Sequence, residues 1–170
     1  MNQAHFQILG MVMPSGRYQY HDEGYVESVR DAVKQLYQKY GEDSPQVTKD
    51  VTGFYAGRGL DIHILYSRKP TKPLDIQNRA HEETHAIDYI KGLDFLSDKM
   101  LEQNVRINLK EVDDEEVRAQ LGSLYALHKH GFSVRQLGAY RRDVRLQKAI
   151  KIWRQSEFPK RRWFQFFKSP

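Results

Sequence analysis

The pattern of hydrophobic and polar positions predicts strands and one helix in the first 66 residues, and helices in most of the rest. Residues 6–13 form an apolar run closed by Pro14-Ser15-Gly16, which predicts a strand followed by a turn. Residues 24–40 predict an amphipathic helix with Asp22 as its cap and Gly41 as its end. Its apolar positions recur every three or four residues and are expected to pack in the core: Val26, Val29, Val33, Leu36, Tyr37 and Tyr40.

Two β-leaning segments follow, and together they predict a hairpin. Residues 47–55 lead through a turn at Gly57-Arg58-Gly59 into residues 60–66, where apolar positions alternate. We expect residues 60–66 to lie at an edge of the sheet, where an extended peptide would add its backbone as a further strand. His63 in this segment is expected to be a packed or surface residue rather than a ligand.

Four helices are predicted in the second half of the chain. Residues 75–90 contain no Gly or Pro, with Asp75 as a cap and Gly92 as the end. The further helices are expected at residues 94–102, at 111–130 with Gly131 as the stop, and from Ser133 onward with Leu137, Tyr140, Val144 and Trp153 facing inward. The order of elements predicts an α+β fold, in which a small mixed sheet packs on the helix at residues 75–90.

Composition bounds the size of the protein and the kind of metal ligand it can offer. With 170 residues, 39% of them hydrophobic, we expect one domain at residues 1–157 and a tail at 158–170. The absence of cysteine excludes disulfides and thiolate ligands, so nitrogen and oxygen must hold any metal. Neither a long apolar run nor a secretory signal is visible. We therefore expect no transmembrane segment and a cytoplasmic location, with delivery as a secreted effector left open.

The net charge of +5 is unevenly distributed along the chain. Residues 1–125 carry 15 Lys and Arg against 20 Asp and Glu, whereas residues 126–170 carry 12 against 2. A solvated basic face is the commonest reason for such a run of charge. The alternative, which we do not favour, is a binder of nucleic acid or an acidic surface that uses the last helix and the basic aromatic tail.

The strongest chemical signal is His81-Glu82-Glu83-Thr84-His85, inside the helix predicted at residues 75–90. Side chains four residues apart share one face of a helix, so His81 and His85 can converge on a single ion. Glu82 lies beside the first imidazole, where its carboxylate can take a proton from a water held by that ion. Two surface histidines on a solvated helix are the alternative interpretation.

A catalytic zinc ion normally has three protein ligands and one open position, so the two histidines need a partner. Glu115 and Glu116, in an acidic run at a helix start, are the candidates. Acidic residues in such a position also simply complement the helix dipole. Ala119, one turn after Glu116, is small and leaves room for a close approach of the two helices, which favours Glu116.

The pattern His81-Glu82-x-x-His85-x-x-Asp88, followed by Glu116-x-x-Ala119, resembles the gluzincin group of zinc metallopeptidases. The Asp three residues after the second His is similar to the catalytic domain of anthrax lethal factor and to the Mlc titration factor peptidases. The resemblance covers about residues 60–130 and implies a zincin-like fold with Zn²⁺ as cofactor. It implies that His81, His85 and Glu116 bind the ion, and that Glu82 is the general base. The implied substrate is a peptide or protein, cleaved by an endopeptidase rather than an exopeptidase.

Asp88 shares the helix face of His81 and His85, because it follows them by seven and three residues. We expect it either to accept a hydrogen bond from a ligand imidazole or to anchor the neighbouring backbone. An ordinary solvated Asp is the alternative.

Two features depart from the resemblance. Glu83 and Thr84 occupy positions that are commonly apolar or small in the group, and we expect Glu83 to point away from the metal. Leu109 stands where the lethal factor arrangement has a Tyr that stabilises the oxyanion. Residues further along the helix predicted at residues 111–130 are weak substitutes for this Tyr: Tyr125, His128 and His130. The main alternative to a peptidase is therefore a catalytically inactive zinc-binding regulator or binding module.

Overall fold

The structure is a computed structural model that describes residues 2–15, 19–25, 28–47, 53–58, 61–66, 72–133 and 143–156. Its class is mixed α+β, as the sequence predicts. In chain order its elements are β1 (Asn2–Phe6), β2 (Met11–Ser15), β3 (Gln19–Tyr25), α1 (Val29–Lys39), β4 (Gly53–Arg58), β5 (Asp61–Tyr66), α2 (Pro73–Tyr89), α3 (Leu93–Glu102), a 3-10 turn (Leu109–Glu111), α4 (Glu115–Lys129) and α5 (Val144–Ser156). Within the described ranges, no helix is both long and apolar enough to cross a bilayer.

A three-stranded mixed sheet contains β3, β5 and β4 in that order. β4 and β5 form the predicted antiparallel hairpin, with Gly53 opposite Tyr66. β3 runs parallel to β5 on its other side. The expectation that residues 60–66 form an edge is therefore wrong, because β5 is paired on both sides. Among the described residues, β3 and β4 are the two edge strands of this sheet, and β4 lies against α2.

The sheet separates two apolar layers because its side chains alternate between its two faces. Ile62 and Ile64 of β5 belong to the main core, which the helices after the sheet complete. Leu65 packs against α1 on the opposite face. His63 also faces α1, where its Nε2 lies 3.0 Å from the Tyr40 hydroxyl. Of the two positions expected for His63, packed or on the surface, the structure shows the packed one, since His63 is buried.

The prediction of one strand at residues 6–13 is wrong. β1 and β2 pair antiparallel around a turn at residues 7–10. Gly10 has a φ of +66°, a conformation that glycine adopts at little cost and L side chains rarely adopt. The apolar run is therefore folded back on itself rather than extended.

The first helix is shorter than predicted. It begins at Val29 instead of residue 24, because Ser28 caps it by accepting a hydrogen bond from the Asp31 amide. Asp22, predicted as the cap, lies in β3.

Capping residues also shift the starts of two later helices. α2 begins at Pro73, and Asp75 accepts a hydrogen bond from the Lys72 amide instead of preceding the helix. α4 begins at Glu115 rather than residue 111, because Asp114 accepts from the amides in its first turn. α3 lies where the sequence predicts it, within one residue.

The last helix is described from Val144, and Asp143 caps it by accepting from the Arg145 and Leu146 amides. Trp153 is buried as predicted, whereas the inward assignment of Val144 is wrong, since that side chain is 77% exposed. Several sequence predictions concern residues outside the described ones: the helix after Ser133 with Leu137 and Tyr140, the segment 48–52, and the tail at 158–170.

α2 and α4 approach each other closely near the middle of α4. A Cβ placed on Gly122 would lie 1.8 Å from Thr84 Oγ1 and 2.9 Å from Thr84 Cβ, so glycine is required there. The Ser123 hydroxyl donates across the interface to the Gln77 carbonyl over 3.0 Å. Ala119 is fully buried, in agreement with its predicted role as a small residue at a helix contact. This contact sets the distance between the two helices.

Gly122→Ala tests the close contact. On an exposed helix surface, replacing Gly with Ala stabilises by about 1 kcal/mol. Here the added methyl overlaps Thr84, so we expect the free energy of unfolding to fall by roughly 1–3 kcal/mol, as measured by chemical denaturation. Adding Thr84→Ala removes the hydroxyl nearest to the new methyl and should recover part of the loss. A Gly122→Ala variant as stable as the parent would contradict the contact.

Candidate metal centre

α2 and α4 bring three potential metal ligands together. His81 and His85 lie on one face of α2, with their Nε2 atoms 3.2 Å apart. Glu116, in the first turn of α4, places one carboxylate oxygen 3.4 Å from His81 Nε2 and the other 3.5 Å from His85 Nε2. The three residues predicted as ligands therefore form a group close enough to hold a metal ion.

The separations among these atoms leave room for a shared ion. Zinc bonds to imidazole nitrogen and carboxylate oxygen of about 2.0–2.2 Å place the donors of a tetrahedral site about 3.3–3.6 Å from one another. The two Nε2 atoms are 3.2 Å apart, and two different oxygens of Glu116 lie 3.4 Å from His81 and 3.5 Å from His85. With one donor atom from each residue, all three donors lie within 4.8 Å of one another. A set of two imidazoles and one carboxylate also suits zinc chemically, because it is a borderline-soft ion. The residues present therefore fit the ion that the motif implies.

Without a cation, the site is an ion pair between imidazole and carboxylate. Burial lowers the pKa of His81, but the hydrogen bond to Glu116 and the neighbouring carboxylates outweigh it, so the pKa lies above its ordinary value. Burial and the charge of His81 lower the pKa of His85. The hydrogen bond from His81 lowers the pKa of Glu116 to about 2. A proton on His81 therefore competes with a cation for the same Nε2 atom.

Glu82 lies at the side of this cluster, between α2 and β4. Burial raises its pKa to about 7, although the positive charge of His81 and a hydrogen bond from the Tyr55 backbone amide oppose the shift. A Cβ on Gly53 would lie 3.2 Å from Glu82 Cγ, so β4 passes directly over the side chain. The strand therefore sets where the Glu82 carboxylate can lie.

A cavity of about 420 Å³ opens beside the cluster, and both helices and β4 line it. Two of its aromatic residues were not identified from the sequence. The Tyr55 ring stacks on the His85 ring with centroids 6.1 Å apart, and Tyr89 lies 6.2 Å from Tyr55. Tyr89 follows His85 by four residues, so its spacing alone could have placed it on the helix face of the histidines. The place of Tyr55 depends on the packing of β4 against α2.

The structure distinguishes Glu115 from Glu116. Both residues line the cavity, but only Glu116 lies within reach of the two imidazoles, while Glu115 is exposed. The choice follows from Asp114, which caps α4 and so determines which residue of the acidic run faces α2. Glu116 is the third member of the group, as the spacing favoured.

Asp88 pairs with an arginine rather than with a ligand histidine. Its Oδ2 accepts a hydrogen bond of 2.6 Å from Arg118 Nε. Arg118 also donates to the carbonyls of Val112 and Asp113, just before α4. The described contacts of the Asp88 side chain match neither predicted role, because it bonds the Arg118 side chain rather than a ligand imidazole or the neighbouring backbone.

Glu83 points away from the cluster, as predicted. It is fully buried, accepts hydrogen bonds from the Ile8 and Leu9 amides, and pairs with Arg79 over 3.2 Å. Thr84 donates to the Ala80 carbonyl and fills the space above Gly122. The two unusual positions of the motif therefore contact the β1–β2 turn and α4, not the metal group.

The residues considered as oxyanion donors lie outside the cavity. Tyr125 is buried in the core. His128 packs on the Trp153 ring with centroids 5.8 Å apart, and His130 Nε2 lies 3.3 Å from the Ile8 carbonyl. Among the residues that line the cavity, Tyr55 and Tyr89 are the phenols nearest to the cluster.

Comparisons of the chain with protein-family models, with curated proteins and with solved structures found no match. The interpretation of the site therefore rests on the motif and on the geometry described above. The resemblance to gluzincins stays a prediction from the sequence.

Replacing each carboxylate at the start of α4 tests the choice of ligand. We expect the parent to bind one Zn²⁺ per chain and Glu116→Gln to weaken the affinity by about 100-fold or more, because a neutral amide is a poor zinc ligand. Glu115→Gln is the matched control and should stay within a few-fold of the parent. Competition with a chromophoric chelator measures both. Equal losses in the two variants would contradict the assignment.

Zinc affinity should fall as the pH is lowered, because both imidazoles must be neutral to bind. The raised pKa of His81 means that its proton competes first, while His85 titrates at lower pH. Glu116, with a pKa of about 2, stays ionised and releases no proton near neutrality. We expect an affinity loss of about tenfold per pH unit below the His81 pKa. Calorimetry in buffers of different ionisation enthalpy counts the released proton. A zinc affinity that does not change with pH between about 7.5 and 5.5 would contradict the competition between protons and the metal ion.

Proposed function

We propose that the protein is a zinc-dependent peptidase with a zincin-like active site, in which His81, His85 and Glu116 hold the ion and Glu82 is the general base. The observation that supports this most directly is the convergence of two imidazole nitrogens and one carboxylate oxygen, which all lie within 4.8 Å of one another. The motif resemblance supports the same activity independently of the geometry.

Zn²⁺, when bound, lowers the pKa of a coordinated water toward about 7 and polarises a carbonyl oxygen. With the ion held by His81, His85 and Glu116, the Glu82 carboxylate would accept a proton from the attacking water. The same carboxyl returns the proton to the leaving amine, so that it serves as base and acid in turn. A pKa of about 7 suits this exchange, because the group can both accept and donate a proton near neutral pH.

The proposed substrate is an extended peptide segment of a larger chain. β4 is the edge strand of the sheet that lines the cavity, and its Gly53 lies against Glu82. A peptide that pairs with this edge would present successive carbonyls beside the metal group. The strand predicted for this role was β5, and its central place in the sheet transfers the role to β4.

Glu82→Gln tests the proposed base. The amide cannot take the proton, so we expect hydrolysis of a peptide library to fall by about 10²–10⁴-fold while zinc content stays near one per chain. Mass spectrometry of the products and elemental analysis measure the two quantities. Glu115→Gln, on the same cavity, is the control and should retain activity.

Full activity in Glu82→Gln would exclude Glu82 as the base. Zinc binding by the parent without cleavage of any library member would instead favour the inactive zinc-binding regulator.

A further inference from the structure

The third ligand of the proposed metal site sits in the first turn of α4, where helix backbone is held least firmly. Glu116 is the second residue of α4. The close contact at Gly122 lies six residues further on, which is about 9 Å along the helix axis. The Asp114 cap accepts hydrogen bonds from the amides of Glu116 and Val117 and pairs with Arg145, and none of these described contacts reaches α2. Another contact must hold this turn against the helix that carries the histidines.

Arg118 makes that contact. Its side chain is 15% exposed and lies between α2 and α4. Nε donates to Asp88 on α2 over 2.6 Å, and Nη1 donates to the carbonyls of Val112 and Asp113. These carbonyls directly precede the Asp114 cap, and Glu116 lies between them and Arg118 in the chain. One guanidinium, carried by α4 two residues after the ligand, therefore binds α2 and the backbone just before the ligand.

We propose that the Asp88–Arg118 pair is a positioning device that sets the distance between Glu116 and the two histidines. The proposal rests on the proposed function of the metal site, and it assigns a role to two residues that are not themselves ligands. Asp88 lies three residues after His85, so the pair joins the ligand face of α2 to the ligand turn of α4. A zinc–oxygen bond tolerates only a few tenths of an ångström, so a small shift of this turn lowers the affinity.

The planar guanidinium is specific to this role. It presents donors in a fixed fork, so it can bond a carboxylate and two backbone carbonyls at once. The ammonium of a lysine carries the same charge but cannot reproduce that geometry. Charge alone would act in the opposite direction at Arg118, because a cation next to a metal site disfavours a second cation.

The test uses two variants of the full chain whose charge changes are opposite. Arg118→Gln removes a positive charge and Asp88→Asn removes a negative one. A purely electrostatic role predicts tighter zinc binding in the first and weaker binding in the second. A positioning role predicts that both bind zinc about 10–100-fold more weakly than the parent. Zinc affinity is measured by chelator competition at a temperature where circular dichroism shows each variant folded.

Cobalt substitution supplies a readout of ligand geometry. The visible absorption of Co²⁺ depends on the number and arrangement of its ligands. We expect Arg118→Gln and Asp88→Asn to shift this spectrum toward that of Glu116→Gln. Arg145→Gln is the matched control, because Arg145 is an exposed cation near Asp114 that does not bridge to α2 in the described contacts. Arg145 acts on Glu116 through its charge, so its removal should not weaken zinc binding and should leave the cobalt spectrum like that of the parent.

The outcomes separate the positioning role from the metal site itself. A parent that binds neither Zn²⁺ nor Co²⁺ overturns the proposed function and this inference with it. If the parent binds both ions and Arg118→Gln and Asp88→Asn have the parental affinity and spectrum, the positioning role alone is overturned. Tighter zinc binding in Arg118→Gln with weaker binding in Asp88→Asn overturns it as well. If Arg118→Gln does not fold, Arg118→Lys replaces it, and a parental zinc affinity in Arg118→Lys would overturn the positioning role.

Discussion

The close packing of α2 against α4 is the interaction on which the candidate site depends. Two imidazoles on one helix can meet by local geometry, but a third donor has to arrive from elsewhere at the right distance. Gly122 permits the helices to approach until Thr84 fills the space where a side chain would be. The hydrogen bond from Ser123 to the Gln77 carbonyl adds a second link across the same interface. This approach brings the first turn of α4 near the face of α2 that carries the two histidines.

α2 has two faces with different environments, and the motif residues divide between them. His81 and His85 face the cavity, whereas Glu83 is buried on the opposite side with Arg79. Breaking such a pair by removing one partner leaves a buried charge, at a cost of about 3–5 kcal/mol. Glu83 also accepts from two amides of the β1–β2 turn, so the hairpin is attached to the metal helix itself. The core side of α2 thus keeps the helix in place while its other face carries the chemistry.

β4 connects the sheet to the proposed chemistry. Its Gly53 lies over the Glu82 side chain, its Tyr55 amide donates to the Glu82 carboxylate, and the Tyr55 ring stacks on His85. The strand therefore contacts both the proposed base and a ligand, and among the described residues no further strand lies beside its outer edge. Peptide that pairs along this edge would be oriented by the strand that also orients Glu82.

The sequence alone determined whatever depends on local geometry: the spacing of His81 and His85 on a helix, the end of α4 at Gly131, the β4–β5 hairpin and the mixed α+β class. Other features depend on contacts between distant segments. The turn at residues 7–10 forms where Glu83 accepts amides some 75 residues away, and β5 is central because β3 pairs with it. Tyr55 and Arg118 gain their roles only from neighbours on other elements. The periodicity of a sequence shows which face of a helix or strand is apolar, but the packing of these elements decides which residues each face contacts.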